Sequence, residues 1–122
     1  MINEFVKNFK MCASSTTPKI SYEEFKEAYE KDEAILVDVR EAYERDLVSV
    51  NIAQHIPMSE LYESHTNLDK SIMIVTMCSH KNRADIAGMF LNSNGYNAKV
   101  LNETFAGFVD KLVEDANPIQ CT

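Results

Sequence analysis

Ser71-Ile72-Met73-Ile74-Val75-Thr76-Met77-Cys78-Ser79-His80-Lys81-Asn82-Arg83 is the stretch that decides the fold. From Ile72 to Met77 it is nearly continuous in apolar side chains and rich in β-branched ones, the composition of a strand covered on both faces. Strands of that kind are usually parallel. From Arg83 the apolar period changes to that of a helix, with Ile86, Ala87, Phe90 and Leu91 expected inward, and Asn94-Gly95 supplies the stop signal. Strand, polar loop and helix in that order are the makings of a βαβ unit.

The same alternation extends on both sides. Ala34-Ile35-Leu36-Val37-Asp38-Val39 is a second buried-strand run, Ala98 to Leu101 a third, and Gln54 to Ile56 a brief strand ended by Pro57. Ser21 and Glu24 have the spacing of a capping box, and Ile20 with Phe25 suits a hydrophobic staple. A helix is therefore expected from Tyr22 to about Lys31, with Tyr22, Phe25 and Tyr29 inward. Glu41 to Asp46 and Ser59 to Glu63 read as short helical segments. Phe105, Phe108, Val109, Leu112 and Val113 fall at i, i+3, i+4, i+7 and i+8 of a final amphipathic helix. The expected architecture is a three-layer α/β domain, a central and mostly parallel sheet flanked by helices. It spans residues 19–115, after an N-terminal helix and linker over residues 1–18 (Ile2, Phe5, Val6 and Phe9 on one face) and before a tail over residues 116–122.

Composition agrees with one globular unit. A chain of 122 residues is about one domain long, 45% of it is apolar and 25% charged, and three Gly and three Pro exclude collagen-like or low-complexity sequence. The longest nearly apolar stretch, Ile72 to Cys78, is far short of the roughly 20 residues a membrane span needs. Met1 to Ala13 lacks a basic start followed by an apolar core, so a cytoplasmic protein is expected. Net charge is −7, which disfavours nucleic acid. The charge is uneven. Tyr22 to Glu63 holds twelve acids, whereas Ser71 to Leu101 holds Lys81, Arg83 and Lys99 against Asp85, so a small anion is drawn to the second stretch. The acidic run reads as a solvated surface or as a face for a basic partner. Cys12, Cys78 and Cys121 leave one thiol unpaired in any intramolecular scheme and show no C-x-x-C spacing, which speaks against a disulfide framework. His55 and His65 have no ligand partner at metal-binding spacing. No metal and no cofactor are expected.

In open α/β sheets, sites form at the carboxyl ends of strands, and Cys78 sits at such an end. If Cys78 to Arg83 wraps into a bowl, backbone N–H groups and the helix dipole favour an anion there. The same field stabilises a thiolate, so the thiol pKa should fall toward the roughly 3.5 to 7.5 range of cysteines at helix N-termini or beside cations. His80, Lys81 and Arg83 strengthen that expectation. The plainer alternative is that Cys78 is only a small buried hydrophobe.

Three markers in order resemble the rhodanese, or sulfurtransferase, family over roughly Lys19 to Val113. Asp38-Val39-Arg40-Glu41 resembles the family's D-V-R-E after the first core strand, and Ile56-Pro57 follows at the family's spacing. Cys78 to Arg83 resembles its active-site loop, and Val100-Leu101 with Phe108 its L-x-G-G-x-x-x-W. The resemblance implies that Cys78 takes a sulfane sulfur from a small donor, thiosulfate or a persulfide, becomes a persulfide, and passes the sulfur to a thiol or cyanide. A protein thiol is a further candidate acceptor. It also implies that the loop of Ser79, His80, Lys81, Asn82 and Arg83 holds the persulfide and faces the anionic donor or leaving group. Asp38 and Arg40 are implied to be structural, tying strand to helix. For Arg83 the structural alternative is an ion pair with Asp85 or Glu103.

The chain departs from the family pattern at several places. Lys81 stands where the loop commonly has Gly; if that position needs positive φ, it carries a strain of about 1 to 2 kcal/mol. Val48 to Ile52 replaces G-H-I-P-G, Glu103-Thr104 replaces the late Gly-Gly pair with a charge that could face the pocket, and Phe108 replaces Trp. Two other function classes fit parts of the pattern. A non-catalytic sulfur carrier or interaction module keeps the fold without turnover. A cysteine phosphatase needs five residues between Cys and Arg, whereas here there are four, Ser79 to Asn82, leaving a tighter ring.

Overall fold

The apolar runs become strands at the centre of a parallel sheet. The computed structural model describes residues 17–116. In chain order these hold β1 (Lys19–Ile20), α1 (Tyr22–Glu30), β2 (Ala34–Asp38), α2 (Ala42–Leu47), β3 (Ala53–His55), α3 (Met58–Ser64), a 3-10 turn (His65–Asn67), β4 (Met73–Met77), α4 (Asn82–Ser93), β5 (Asn97–Leu101) and α5 (Phe105–Ala116). The sheet order is β1-β5-β4-β2-β3, and every neighbouring pair is parallel. The expected N-terminal helix, Cys12 and Cys121 lie outside the described residues. No helix among the described residues is long and apolar enough to cross a membrane.

Because successive strand residues face opposite sides, the sheet buries two separate cores. Val37, Val39, Ile74, Cys78, Ala98 and Val100 meet Leu61 of α3 and Ala84, Ala87, Phe90 and Leu91 of α4. On the other face, Ala34, Leu36, Val75, Met77 and Leu101 meet Tyr22 and Phe25 of α1 and Phe105 and Phe108 of α5. Burying each such large side chain contributes about 1.5 to 3 kcal/mol. These are the three layers expected from the sequence.

Local signals explain the element ends. The Ser21 hydroxyl oxygen accepts the Glu24 N–H at 3.1 Å while Glu24 Oε1 accepts the Ser21 N–H at 3.3 Å, closing the capping box of α1. Helix α4 ends at Gly95, whose φ of 92° suits a residue without Cβ, and the Tyr96 N–H returns to the Leu91 carbonyl at 3.1 Å. At the other end of α4, the hydroxyl of buried Thr17 donates to the Asp85 carbonyl at 2.7 Å. There Gly88 permits close approach, since an added Cβ would lie 2.4 Å from Thr17 Cγ2.

Several details differ from the sequence expectations. Ile86 and Val113 are exposed rather than inward. At about 100° per residue, the buried stripe of α4 runs through Ala84, Ala87, Gly88 and Leu91, and Ile86 stands some 200° round from Ala84. On α5 the stripe of Phe105, Phe108, Val109 and Leu112 leaves Val113 past its edge. Lys19–Ile20 forms an edge strand, pairing with Val100 and Leu101, where the sequence offers too few residues for an alternation.

Candidate functional site

β4 lies between β2 and β5, so its carboxyl end opens at the middle of the sheet edge. Cys78 is the next residue and is only 2% exposed. The first N–H groups of an α-helix have no intrahelical acceptor; that of Ala84, in the first turn of α4, points at Cys78 Sγ at 3.2 Å. Thr76, two residues earlier, ties β4 to the same helix by donating its hydroxyl to the Ala84 carbonyl at 2.8 Å. To bring the chain from Cys78 round into α4, Lys81 adopts φ 80° and ψ −21°. For a residue with a Cβ that conformation carries about 1 to 2 kcal/mol of strain. The loop is held from outside as well, since the Phe105 N–H donates to the Ser79 carbonyl at 3.1 Å.

Arg83 does not stand free at the loop. Its Nη1 and Nη2 donate to Glu44 Oε1 and Oε2 at 2.6 and 2.8 Å, and the Ser79 hydroxyl adds a third bond to Oε2 at 2.9 Å. Glu44 Oε1 also accepts the Glu41 N–H at 2.9 Å, which fixes the carboxylate to the start of α2. The hydrogen bonds from Arg83, helped by Glu41 and Ser79 and opposed by desolvation, hold the Glu44 carboxyl at about 2, well below its usual 4.5. Arg83 is pushed up in turn by its hydrogen bonds to Glu44, against the opposing effect of desolvation and with the help of the Glu44 charge.

The two partners named for Arg83 from sequence are therefore corrected. Asp85 is two positions along the helix, a spacing that does not face Arg83, and its Oδ1 accepts the Thr17 N–H at 3.1 Å. Glu103 turns toward Lys111 Nζ at 3.8 Å and does not line the cleft beside the loop. Glu44 is the residue the sequence reading missed. It stood in view as the second glutamate of Asp38-Val39-Arg40-Glu41-Ala42-Tyr43-Glu44, but its partner is 39 positions away.

The remaining loop residues separate. His80 is exposed and lines a cleft of about 390 Å³ shared with Arg40, Glu44, Leu47, Val48 and Phe105. Lys81 Nζ leans on Asn102 Oδ1 at 3.4 Å, and Asn82 is exposed at the first position of α4. At the neighbouring strand end, Arg40 Nε and Nη2 donate to the Asp38 carboxylate at 2.8 to 3.0 Å, Nη2 also reaches the Val48 carbonyl at 2.9 Å, and the guanidinium lies 3.8 Å from the centre of the Phe105 ring. His55 Nε2 lies 2.7 Å from the Arg40 carbonyl oxygen. His65 packs beneath α4 against Phe90 and Tyr96, with the Tyr96 hydroxyl on its carbonyl.

The fold is thus a parallel sheet in the order β1-β5-β4-β2-β3, with Cys78 held by a helix N-terminus at the end of its central strand. The profile of the rhodanese-like domain matches residues 21–111, well over half of the chain. The chain belongs to the rhodanese-like family. Within that family, this rhodanese-like chain is 30% identical over 90 residues to YrkF of Bacillus subtilis, a protein named as a candidate sulfur carrier. That match covers 73% of this chain and 48% of YrkF, so the chain spans about half the length of this relative. Among solved structures it resembles a rhodanese-related protein of Thermoplasma volcanium, at 26% identity and a TM-score of 0.68, covering 77% of this chain and 92% of that one. It also shares the fold of the human single-domain sulfurtransferase TSTD1, at 22% identity and a TM-score of 0.66, covering 77% and 96%.

Proposed function

We propose that this chain is a sulfurtransferase that carries sulfane sulfur as a persulfide on Cys78. The observation that supports this best is the Ala84 N–H aimed at Cys78 Sγ, at the end of the central strand and the head of α4. In the first half-reaction the Cys78 thiolate attacks the sulfane sulfur of thiosulfate or of an organic persulfide. The donor's S–S bond breaks, and sulfite or a thiolate leaves with the electron pair. In the second, a thiol or cyanide attacks the outer sulfur and Cys78 departs as thiolate. The Ala84 N–H and the N–H groups of the loop supply donors to the charge that develops on sulfur. Ser79 and Arg83 have their side-chain donors engaged by Glu44, while His80 lines the cleft. A cytoplasmic setting, with the three cysteines reduced, fits this chemistry, and no metal or cofactor enters it. A protein thiol is an acceptor of the same chemical class.

A second reading, that the chain loads sulfur and hands it to a partner without multiple turnover, is favoured by the name of its relative and by the burial of Cys78. Intact-protein mass spectrometry separates the readings. After incubation with a sulfur donor the wild type should gain one sulfur that cyanide removes, and Cys78→Ser should gain none while keeping its fold. Sulfur gain in the Cys78→Ser protein overturns the mechanism. Loading without steady-state turnover moves the assignment to the carrier.

A further inference from the structure

The charges around the cleft decide which donor fits. Arg40 and Glu44 line it, and each is held from behind in a bidentate pair, Arg40 by Asp38 and Glu44 by Arg83, so the four charges sum to zero. The loop's remaining cation, Lys81, turns to Asn102 and does not line the cleft. What faces the open space is chiefly apolar: Leu47 and Val48 at the end of α2, with Phe105 and Ala106 from the start of α5. Leu47 is 85% exposed, so this apolar wall continues to the surface.

Resting on the sulfur-transfer reading above, we propose that Glu44 is a specificity residue. Its carboxylate fills the guanidinium fork of Arg83 and the hydroxyl of Ser79, the donors an anionic substrate would use, so the site takes an organic persulfide with an uncharged, apolar body in preference to thiosulfate. A planar guanidinium binds one carboxylate or one oxyanion in its fork at a time. Thiosulfate, with two negative charges, has to displace Glu44 or lie beside it. An alkyl persulfide carries at most one charge, at its terminal sulfur, and lays its carbon body on Leu47, Val48 and Phe105. The step balances: the Cys78 thiolate bonds to the terminal sulfur of R–S–SH, the donor's S–S bond breaks, and R–S⁻ leaves, with the proton staying on the transferred sulfur.

The test compares thiosulfate with a small alkyl persulfide that has no ionic group on carbon, following sulfur gain on Cys78 by quenched intact-protein mass spectrometry over a range of donor concentrations. Gln keeps an acceptor for the Glu41 N–H, so Glu44→Gln leaves the start of α2 supported, and circular dichroism checks the fold. Glu44→Gln should raise the second-order loading constant for thiosulfate about tenfold, through a lower half-saturating concentration, and change that for the alkyl persulfide less than about twofold. Glu44→Asp, which retains the charge, should stay close to wild type in the ratio of the two donors. A Gln variant that leaves thiosulfate loading unchanged, or shifts both donors alike, overturns the specificity role while leaving the persulfide chemistry standing. Absence of loading from both donors in folded, reduced wild type overturns the sulfur-transfer reading and this preference with it.

Discussion

Two loops leave the same edge of the sheet from adjacent strands, and each carries an arginine into an ion pair with a carboxylate. The loop after β2 is closed on itself: Arg40 and Asp38 are 3% and 2% exposed, and their bonds tie together the strand end, the Val48 carbonyl and the Phe105 ring. The loop after β4 is organised differently. Its pair, Arg83 with Glu44, is 35% and 18% exposed, its backbone turns through a left-handed Lys81, and at its root lies a thiol held by one N–H. The first loop has spent its donors and acceptors on the fold, so it works as a bracket. The second keeps backbone strain, a cysteine thiol and a partly exposed ion pair, and strain of that kind clusters at functional sites.

The largest effect that can break this comparison is in the bracket. Arg40→Ala leaves the Asp38 carboxylate buried without a counter-charge, and breaking a buried pair in that way costs about 3 to 5 kcal/mol. Urea unfolding should show it as a large fall in midpoint, whereas a loss below about 1 kcal/mol would mean that Arg40 does not hold the strand end. The next is in the strained loop. Lys81→Gly releases about 1 to 2 kcal/mol of left-handed strain, offset by the roughly 0.5 to 1 kcal/mol that glycine costs in the unfolded chain. A net gain of about 0.5 to 1 kcal/mol is expected, and a loss in the same urea assay would show that the lysine side chain itself supports the turn.

The smallest concerns the exposed pair and its pH dependence. The folded-state pKa of Glu44 is held at about 2, below its ordinary 4.5, so its contribution to stability is fully present above about pH 4.5 and is lost as pH falls through 2. A solvent-screened pair of this kind, 35% and 18% exposed, is worth about 1 kcal/mol. The stability difference between wild type and Glu44→Gln should therefore be small near neutrality and shrink between pH 4.5 and 2. A difference that stays constant over that range would separate the role of Glu44 from its charge.

How much of this was legible in the sequence follows from the range of the interactions. The strands β2 and β4 announce themselves because both of their faces are buried, which demands nearly unbroken apolar runs such as Ile72 to Met77, while β5 shows only its inward Ala98, Val100 and Leu101. Ser21 with Glu24 and Asn94 with Gly95 mark helix ends because caps are built from residues a few positions apart. β3 is shorter and only partly buried, and it falls at Ala53–His55, one residue before the stretch the sequence offered. At the site, the sequence carried Cys78 and the loop to Arg83, together with the departure from glycine at Lys81, whose φ of 80° then appears in the structure.

The sequence by itself determined the α/β class and the place of Cys78 at a strand end, since both rest on local composition and spacing, and its ordered motifs carried the resemblance to the rhodanese family. Only the tertiary structure decided where Arg83 points. A charged side chain on the first turn of a helix has several carboxylates within its reach, and which one it meets depends on how α2 and α4 are set side by side across the sheet edge. That packing gives Arg83 to Glu44, sends Asp85 to Thr17 and Glu103 toward Lys111, and leaves the mouth of the cleft lined by Leu47 and Val48.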